Sequence, residues 1–331
     1  MADADDSLAL RAAWLHFVGG MTQSAVAKRL GLPSVKAHRL IAKAVADGAV
    51  KVSIDGDITE CIDLENRLAD IYGLHYCEVA PDIGEEGLPL MVLGHAGADF
   101  LRREIEHGDH EVIGIGHGRT LSAAVSYMPR VAASNVRFVS LLGGLTRNFA
   151  ANPHDVMHRI AEKTGMPAYV MPVPFFANTA EDREVLLAQR GVTTVFDMGC
   201  SAELKIVGIG TVDAQAQLVT SGMIELNEVE EIANLGGVGE MLGHFFDASG
   251  QRLETALTAR TIAASVENAD MSRIIGLAGG LSKAEAIRAV LKSGRLYGLI
   301  TDERTARALV GEPRENNKIT FYQWIFCYFV I

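Results

Sequence analysis

The stretch EVIGIGHGRTL, residues 111–121, decides how this chain is read. An apolar run ends at Ile115, glycines stand at 114, 116 and 118, and a helical pattern starts at Arg119. Strand, glycine turn and helix in that order make a cradle for an anion. Glycines let backbone N–H groups come close, and the helix N-terminus adds positive potential. A dinucleotide fingerprint would need glycine at 119 after Gly114 and Gly116, and Arg119 stands there instead. Neither a nicotinamide nor any other cofactor is expected; a phosphorylated small metabolite fits better.

Outward from that turn, strand and helix patterns alternate from residue 91 to residue 310. EVIGI, VRFVSLL, PAYVMPV, ELKIVGIG, SRIIGLAGG and LYGLIT read as strands, each followed or preceded by a segment of helical period such as RTLSAAVSYM or KAEAIRAVLKSG. TAEDREVLLAQR opens with a Thr179–Asp182 cap signal, and VTTVFDMGC (192–200) fits strand or helix. The alternation predicts an α/β domain, a doubly wound and mostly parallel sheet. Ligands of such sheets bind at the carboxyl ends of strands. Two further glycine turns belong there, LLGGLT with Gly143 and LAGGLSK with Gly280, and Lys283 and Arg119 each open a helix beside them.

The other end of the chain has a different character. The net charge is -11, yet between Met21 and Ile54 six lysines and arginines face Asp47 alone. A basic segment on an acidic body can touch DNA locally without adhering everywhere. SLALRAAWLHFV reads as a helix with Leu8, Ala12, Leu15 and Val18 on one face, ended by Gly19 and Gly20. Thr22 caps a short second helix, Gly31 permits a left-handed junction, and Pro33 opens a third helix burying Ala37, Leu40, Ile41 and Ala44. This is a helix-turn-helix pattern, with Ser34, Lys36, His38, Arg39 and Lys43 as the DNA-facing candidates. A helical hairpin with a solvated basic face is the blander reading. The short first helix of the pair, the glycine junction and the local charge coincide against it. Asp55-Gly56 in VKVSIDGDI predicts a small wing hairpin.

The expected domains are therefore a DNA-binding head over 1–55, a linker over 56–90 carrying one helix in CIDLENRLADIYGLHYCEVAP, and the effector domain over 91–310. The tail, 311–331, holds six of the 21 aromatic residues of the chain and is atypical. It suggests an altered or extended reading frame, or else an added strand or oligomer contact.

Several function classes are set aside. There is no run long enough to cross a membrane and no signal-peptide pattern, so a cytoplasmic protein is expected. Cys61, Cys77, Cys200 and Cys327 show no CxxC spacing. His154 and His158 have zinc-ligand spacing but lack the glutamate of HExxH, so no metal is expected. No nucleophile elbow or Walker sequence is present.

MTQSAVAKRLGL, GIGHGRTLSAAV, GVGEMLGHFFDASG and GLAGGLSKAEAIRAVLKSGRLYGLITDERTARALV, in that order, resemble the SorC family of sugar-binding transcriptional regulators. The resemblance covers nearly the whole chain and is most specific in the last motif. Within that family the sequence is similar to the repressors of erythritol catabolism, although no residue by itself selects erythritol. The resemblance implies a helix-turn-helix head and an effector domain related to sugar-phosphate isomerases and deaminases. It implies a phosphorylated sugar or polyol as effector, operator DNA as partner, and a homodimer or homotetramer as the working form. Carried onto this sequence, the effector residues would be Gly116, Gly118, Arg119 and Thr120, with Lys283 on the phosphate. Glu240, Asp247 and Asp302 are candidates for hydroxyls. Two places depart from the family: Met241 stands where a small apolar residue is usual, and the pattern stops near Val310. The competing reading is an enzyme, a sugar-phosphate isomerase or deaminase with a helical appendage. Asp247, Glu240 or Asp302 would then be the general base. The basic head has no place in such an enzyme.

Overall fold

The structure, a computed structural model, describes residues 2–50, 59–133, 135–146, 156–266 and 272–311. The wing hairpin at Asp55-Gly56, His154 and the aromatic tail lie outside these residues. The head consists of α1 (Ala2–Phe17), α2 (Gln23–Leu30) and α3 (Ser34–Ala46). Thr22 caps α2 through a bond from Ala25 N to its hydroxyl, 3.2 Å. Gly31 then takes φ 66°, and Leu32 N returns to the Ala27 carbonyl at 2.9 Å, closing the helix end. Ala9, Ala12, Ala13 and Leu15 of α1 meet Val26, Leu40, Ile41 and Ala44 in one apolar cluster. Val18, expected on the buried face, is exposed because α1 ends one residue before it.

The body starts earlier than the sequence suggested. After α4 (Thr59–Tyr72) come β1 (Tyr76–Ala80), α5 (Leu90–His107), β2 (Val112–Ile115), α6 (Arg119–Tyr127) and β3 (Arg137–Leu145). Then follow α7 (Met157–Thr164), β4 (Ala168–Pro174), α8 (Ala180–Leu187), α9 (Arg190–Ser201) and β5 (Leu204–Val207). The next group is β6 (Gly210–Thr211), α10 (Gln217–Thr220), α11 (Leu226–Asn234), β7 (Gly237–Met241), β8 (His244–Asp247) and β9 (Arg252–Leu253). The described chain closes with β10 (Arg273–Leu277), α12 (Ala284–Lys292), β11 (Gly298–Asp302) and α13 (Glu303–Leu309).

Seven strands form one parallel sheet in the order β1-β11-β10-β5-β2-β3-β4. Alternate side chains divide between two cores, as the period-2 pleat requires. Leu204, Ile206, Ile275 and Ile300 go to one face, and Val207, Ile274 and Leu299 to the other. Helices cover both faces, so the doubly wound α/β architecture is what the structure shows. A second sheet, β6-β7-β8-β9, is antiparallel.

The 56–90 segment is not merely a linker. β1 pairs along all five residues with β11, and Cys61, Leu64 and Leu68 of α4 are buried in the body. The edge strand is tied to α4 by Val79 N donating to Glu65 Oε1 at 2.8 Å. VTTVFDMGC resolves as helix, within α9. Its threonine hydroxyls bond back to the carbonyls four residues earlier, Thr193 to Gln189 and Thr194 to Arg190, which satisfies the hydroxyls within the helix. GEMLGHFFDASG is not part of the parallel alternation but builds the small sheet.

Gly143 corrects the reading of LLGGLT. It lies inside β3 rather than in a loop after it, and a Cβ there would stand 2.3 Å from the Pro174 carbonyl oxygen. Glycine is needed for β4 to approach, not for a ligand. We expect Gly143→Ala to destabilise the protein by about 1–3 kcal/mol, the range for overpacking a close contact. Urea denaturation checks this, and an unchanged midpoint would show that β4 can move away.

Candidate effector site and nucleic-acid interface

Adjacent strands β10, β5 and β2 end side by side, and the loops after them converge on one polar cavity of about 40 Å³. Gly118 and the first α6 residues, Arg119 and Thr120, follow β2; Gly208 and Ile209 follow β5 and lead into Gly210 and Thr211 of β6; Lys283 follows β10. Glu240 and Leu242 of the small sheet, with Gln217 of α10, complete the wall. A second cavity of about 400 Å³ shares Arg119 and Lys283 as lining residues.

Each cradle residue has a local reason for its place. Gly118 adopts φ 125°, turning the chain into α6 so that Arg119 stands at the helix start. Gly116 N–H is committed to the Ile206 carbonyl at 2.8 Å, holding the loop against β5. Thr120 is buried, and its hydroxyl donates to the Leu277 carbonyl at 3.0 Å, fixing α6 to β10. Gln217, which lines the cavity, accepts weakly from Arg119 N at 3.4 Å, while its buried amide nitrogen has no partner among the described residues.

The electrostatics are unbalanced toward an anion. Lys283 Nζ donates to the Ile209 carbonyl at 2.7 Å, and no carboxylate lies within ion-pair distance of Lys283 or Arg119 among the described residues. Burial first, and the Arg119 charge second, bring the Lys283 amine down to about 8. Burial pushes the Glu240 carboxyl up to about 7, against the opposing effects of the Gly243 N–H and Lys283. Glu240 is thus about half protonated near pH 7, and in its protonated form it can donate as well as accept. Gly243 N donates to Glu240 Oε1 at 2.6 Å, which holds the β7–β8 turn even though Leu242 sits at φ 50°.

Other sequence candidates fall elsewhere. Asp247 is at the far end of β8, where its carboxylate accepts from Ser249 N, Ser249 Oγ and Gln251 N; it lines neither cavity and shapes a turn. Asp302 borders the larger cavity but is consumed structurally, accepting from Gly280 N, Thr305 N and Thr305 Oγ1. Gly280, at φ 97°, lines the same cavity with its N–H turned to Asp302 and Thr305. Gln217 and the Gly208–Thr211 loop were not foreseen: nothing in a four-residue helix or in VGIGT marks them as a wall.

On the head, Ser34, His38 and Arg39 are exposed and Lys36 is half-buried, along the side of α3 away from the apolar cluster. His38 Nδ1 lies 2.9 Å from Gln23 Oε1, linking α3 to α2. Lys36 and Arg39 make no ion pair among the described residues. Lys43 differs: Asp47 and Asp6 hold its ammonium at 2.6 Å each and raise its pKa, so its charge is largely answered within the head.

A three-helix head on an α/β body is an arrangement that known proteins share. The Sugar-bind family, a sugar-binding domain, matches residues 56–311. The chain is 92% identical over 313 residues to the erythritol catabolism regulatory protein EryD of Brucella abortus, covering 95% of this chain and 99% of that one. It is 31% identical over 315 residues to the transcriptional regulator LsrR of Klebsiella pneumoniae, covering 94% of each. This chain belongs to the SorC family. Among solved structures, the full-length sorbitol operon regulator SorC of Klebsiella pneumoniae aligns with a TM-score of 0.66 at 24% identity. That match covers 93% of this chain and 99% of that one. A DeoR family regulator from Listeria monocytogenes aligns with a TM-score of 0.68 at 23% identity over 75% of this chain and 99% of that one, a likeness of fold. This SorC-family member is a DNA-binding, metabolite-responsive transcriptional regulator rather than an isomerase or deaminase.

Two outcomes follow for the family member in hand. Lys36→Ala or Arg39→Ala should weaken DNA binding and lower its salt dependence by roughly 0.9 in log–log slope for each phosphate that the side chain neutralises. Anisotropy titrations at several salt concentrations measure it, and an unchanged slope would remove that residue from the interface. For Glu240, a carboxyl whose folded pKa is raised stabilises the protein below its unfolded pKa, and that contribution is lost as pH rises through the folded value. Stability should therefore fall between about pH 4.5 and pH 7 by up to about 3 kcal/mol more in wild type than in Glu240→Gln. Equal slopes in urea unfolding across that window would show that Glu240 is not desolvated.

Proposed function

We propose that the chain represses an operon for polyol breakdown, erythritol being the polyol pointed to by its 92% identity with EryD. The effector is a phosphorylated four-carbon polyol or its oxidised derivative. The proposal assigns its phosphate to the small cavity, between Arg119, Lys283 and the N–H groups of the Gly118 turn. Glu240 and the unpaired amide of Gln217 take its hydroxyls. The observation that carries this reading is the desolvated Lys283 ammonium beside the exposed Arg119 guanidinium, with no carboxylate within ion-pair distance of either among the described residues. Leaving that charge desolvated is costly, and an incoming dianion offsets the cost. The regulator acts in the cytoplasm as a homodimer or homotetramer on operator DNA. The effector shifts operator affinity by its differential affinity for the two conformations of the protein.

The experiment is anisotropy of the full chain on DNA directly upstream of its own gene, with erythritol and its phosphorylated and oxidised derivatives added in turn. One phosphorylated compound should release the DNA. Lys283→Ala should bind the same DNA as wild type and lose the response by a factor of ten or more in effector concentration. A full response from Lys283→Ala would refute the phosphate assignment, and no DNA binding at low salt would refute the regulator.

A further inference from the structure

The outer side of α3 carries two side chains that attraction to phosphate does not explain. Val35 stands in the first turn and is 81% exposed. At about 100° per residue it lies half a turn round the helix from Ala44, in the middle of the buried face. It is therefore the position that points farthest from the packed side of the head. His38, also exposed, follows at i+3 on the same side. Its Nδ1 lies 2.9 Å from Gln23 Oε1 at the start of α2. An amide oxygen only accepts, so Nδ1 carries the hydrogen. In the neutral imidazole Nε2 is then left with its lone pair, an acceptor.

We infer that Val35 and His38 select the base sequence of the operator: Val35 covers a thymine methyl group, and His38 Nε2 accepts from an exocyclic amino group, adenine N6 or cytosine N4. Gln23 is the positioning residue that fixes the ring. The inference rests on the regulator reading, in which α3 is the helix that enters the major groove. The floor of that groove offers one apolar group, the C5-methyl of thymine. A valine at the crest of the helix gains by covering it, and gains nothing against phosphate or water. The donors in the groove are likewise few. Adenine N6 and cytosine N4 present N–H groups, whereas the edge of guanine presents N7 and O6, both acceptors. A lone pair on Nε2 facing guanine would meet a second lone pair. Without the Gln23 oxygen the hydrogen can sit on Nε2 instead, and guanine then becomes acceptable. The head so divides its work: the charges of Lys36 and Arg39 supply affinity that falls with salt, and the uncharged pair between them supplies choice.

The test uses the full chain at pH 8.5, above the span in which histidine charge changes. Its DNA is the site footprinted upstream of its own gene, together with every single-base variant of that site. Uracil in place of thymine, one position at a time, removes the methyl group alone. At one thymine of each half-site uracil should weaken wild type about three- to fivefold, the effect of one buried methyl. Val35→Ala should bind thymine and uracil there alike. At a nearby position wild type should prefer adenine or cytosine by about fivefold, the effect of one hydrogen bond. His38→Ala should lose that preference. Gln23→Ala should admit guanine there while its salt slope and its other base preferences stay as in wild type, which a merely structural role would not produce. If no thymine distinguishes wild type from Val35→Ala, the methyl contact is overturned. If the His38-dependent base is guanine or thymine, or if Gln23→Ala keeps the wild-type preference, the fixed ring is overturned. Wild type that binds no DNA at low salt defeats the regulator reading and this assignment with it, whereas tight binding with flat base preferences defeats the assignment alone.

Discussion

The site depends on a positive charge that the protein buries and does not neutralise. Lys283 is kept near Arg119 with a backbone carbonyl, not a carboxylate, as its partner. The carboxyl that lines the same cavity, Glu240, is itself driven toward its neutral form by burial. A site in that state is less favourable empty than filled by an anion. This is the property a metabolite sensor needs, because the ligand then supplies the free energy that moves the equilibrium. The same arrangement is poor for an isomerase: Asp302 is tied into a helix cap, and Asp247 shapes a distant turn.

The parallel sheet makes this arrangement possible. Three neighbouring strands end together, so three loops far apart in sequence deliver Arg119, the Ile209 carbonyl and Lys283 to one point. Thr120 bonded to the Leu277 carbonyl, and Asp302 bonded to Gly280 and Thr305, fix the loops relative to the strands. Such fixed loops hold two like charges close, where a flexible site would let them separate. The antiparallel sheet adds Glu240 from the side, through a turn that Gly243 N–H closes back on the carboxylate.

Much of this was legible because it rests on local signals. Glycine turns between a strand pattern and a helix pattern exposed the loops at Gly118 and Gly280, and Thr22, Gly31 and the polar spacing of α3 exposed the head. What escaped depends on tertiary context. β1 reads as part of a helical run because HYCEVA has little β-branched character, and becomes a strand through pairing with β11. The β7–β8 hairpin turns at Leu242-Gly243, where no Asn-Gly or Asp-Gly marks it, since a buried leucine at positive φ is held by its surroundings. Gly143 misled because a glycine needed for close strand packing looks the same in sequence as one that cradles a ligand. Gln217 carries no pattern at all.

The central claim is that Lys283, desolvated beside the exposed Arg119, forms an anion site whose protonation follows occupancy. The most direct measurement is calorimetric titration of inorganic phosphate at pH 8, where phosphate is almost wholly dianionic, in two buffers of different ionisation enthalpy. With the amine at about 8 in the empty site, binding should draw protons onto the protein, and Lys283→Ala should abolish that uptake. Phosphate binding without proton uptake, or uptake that persists in Lys283→Ala, would contradict the account.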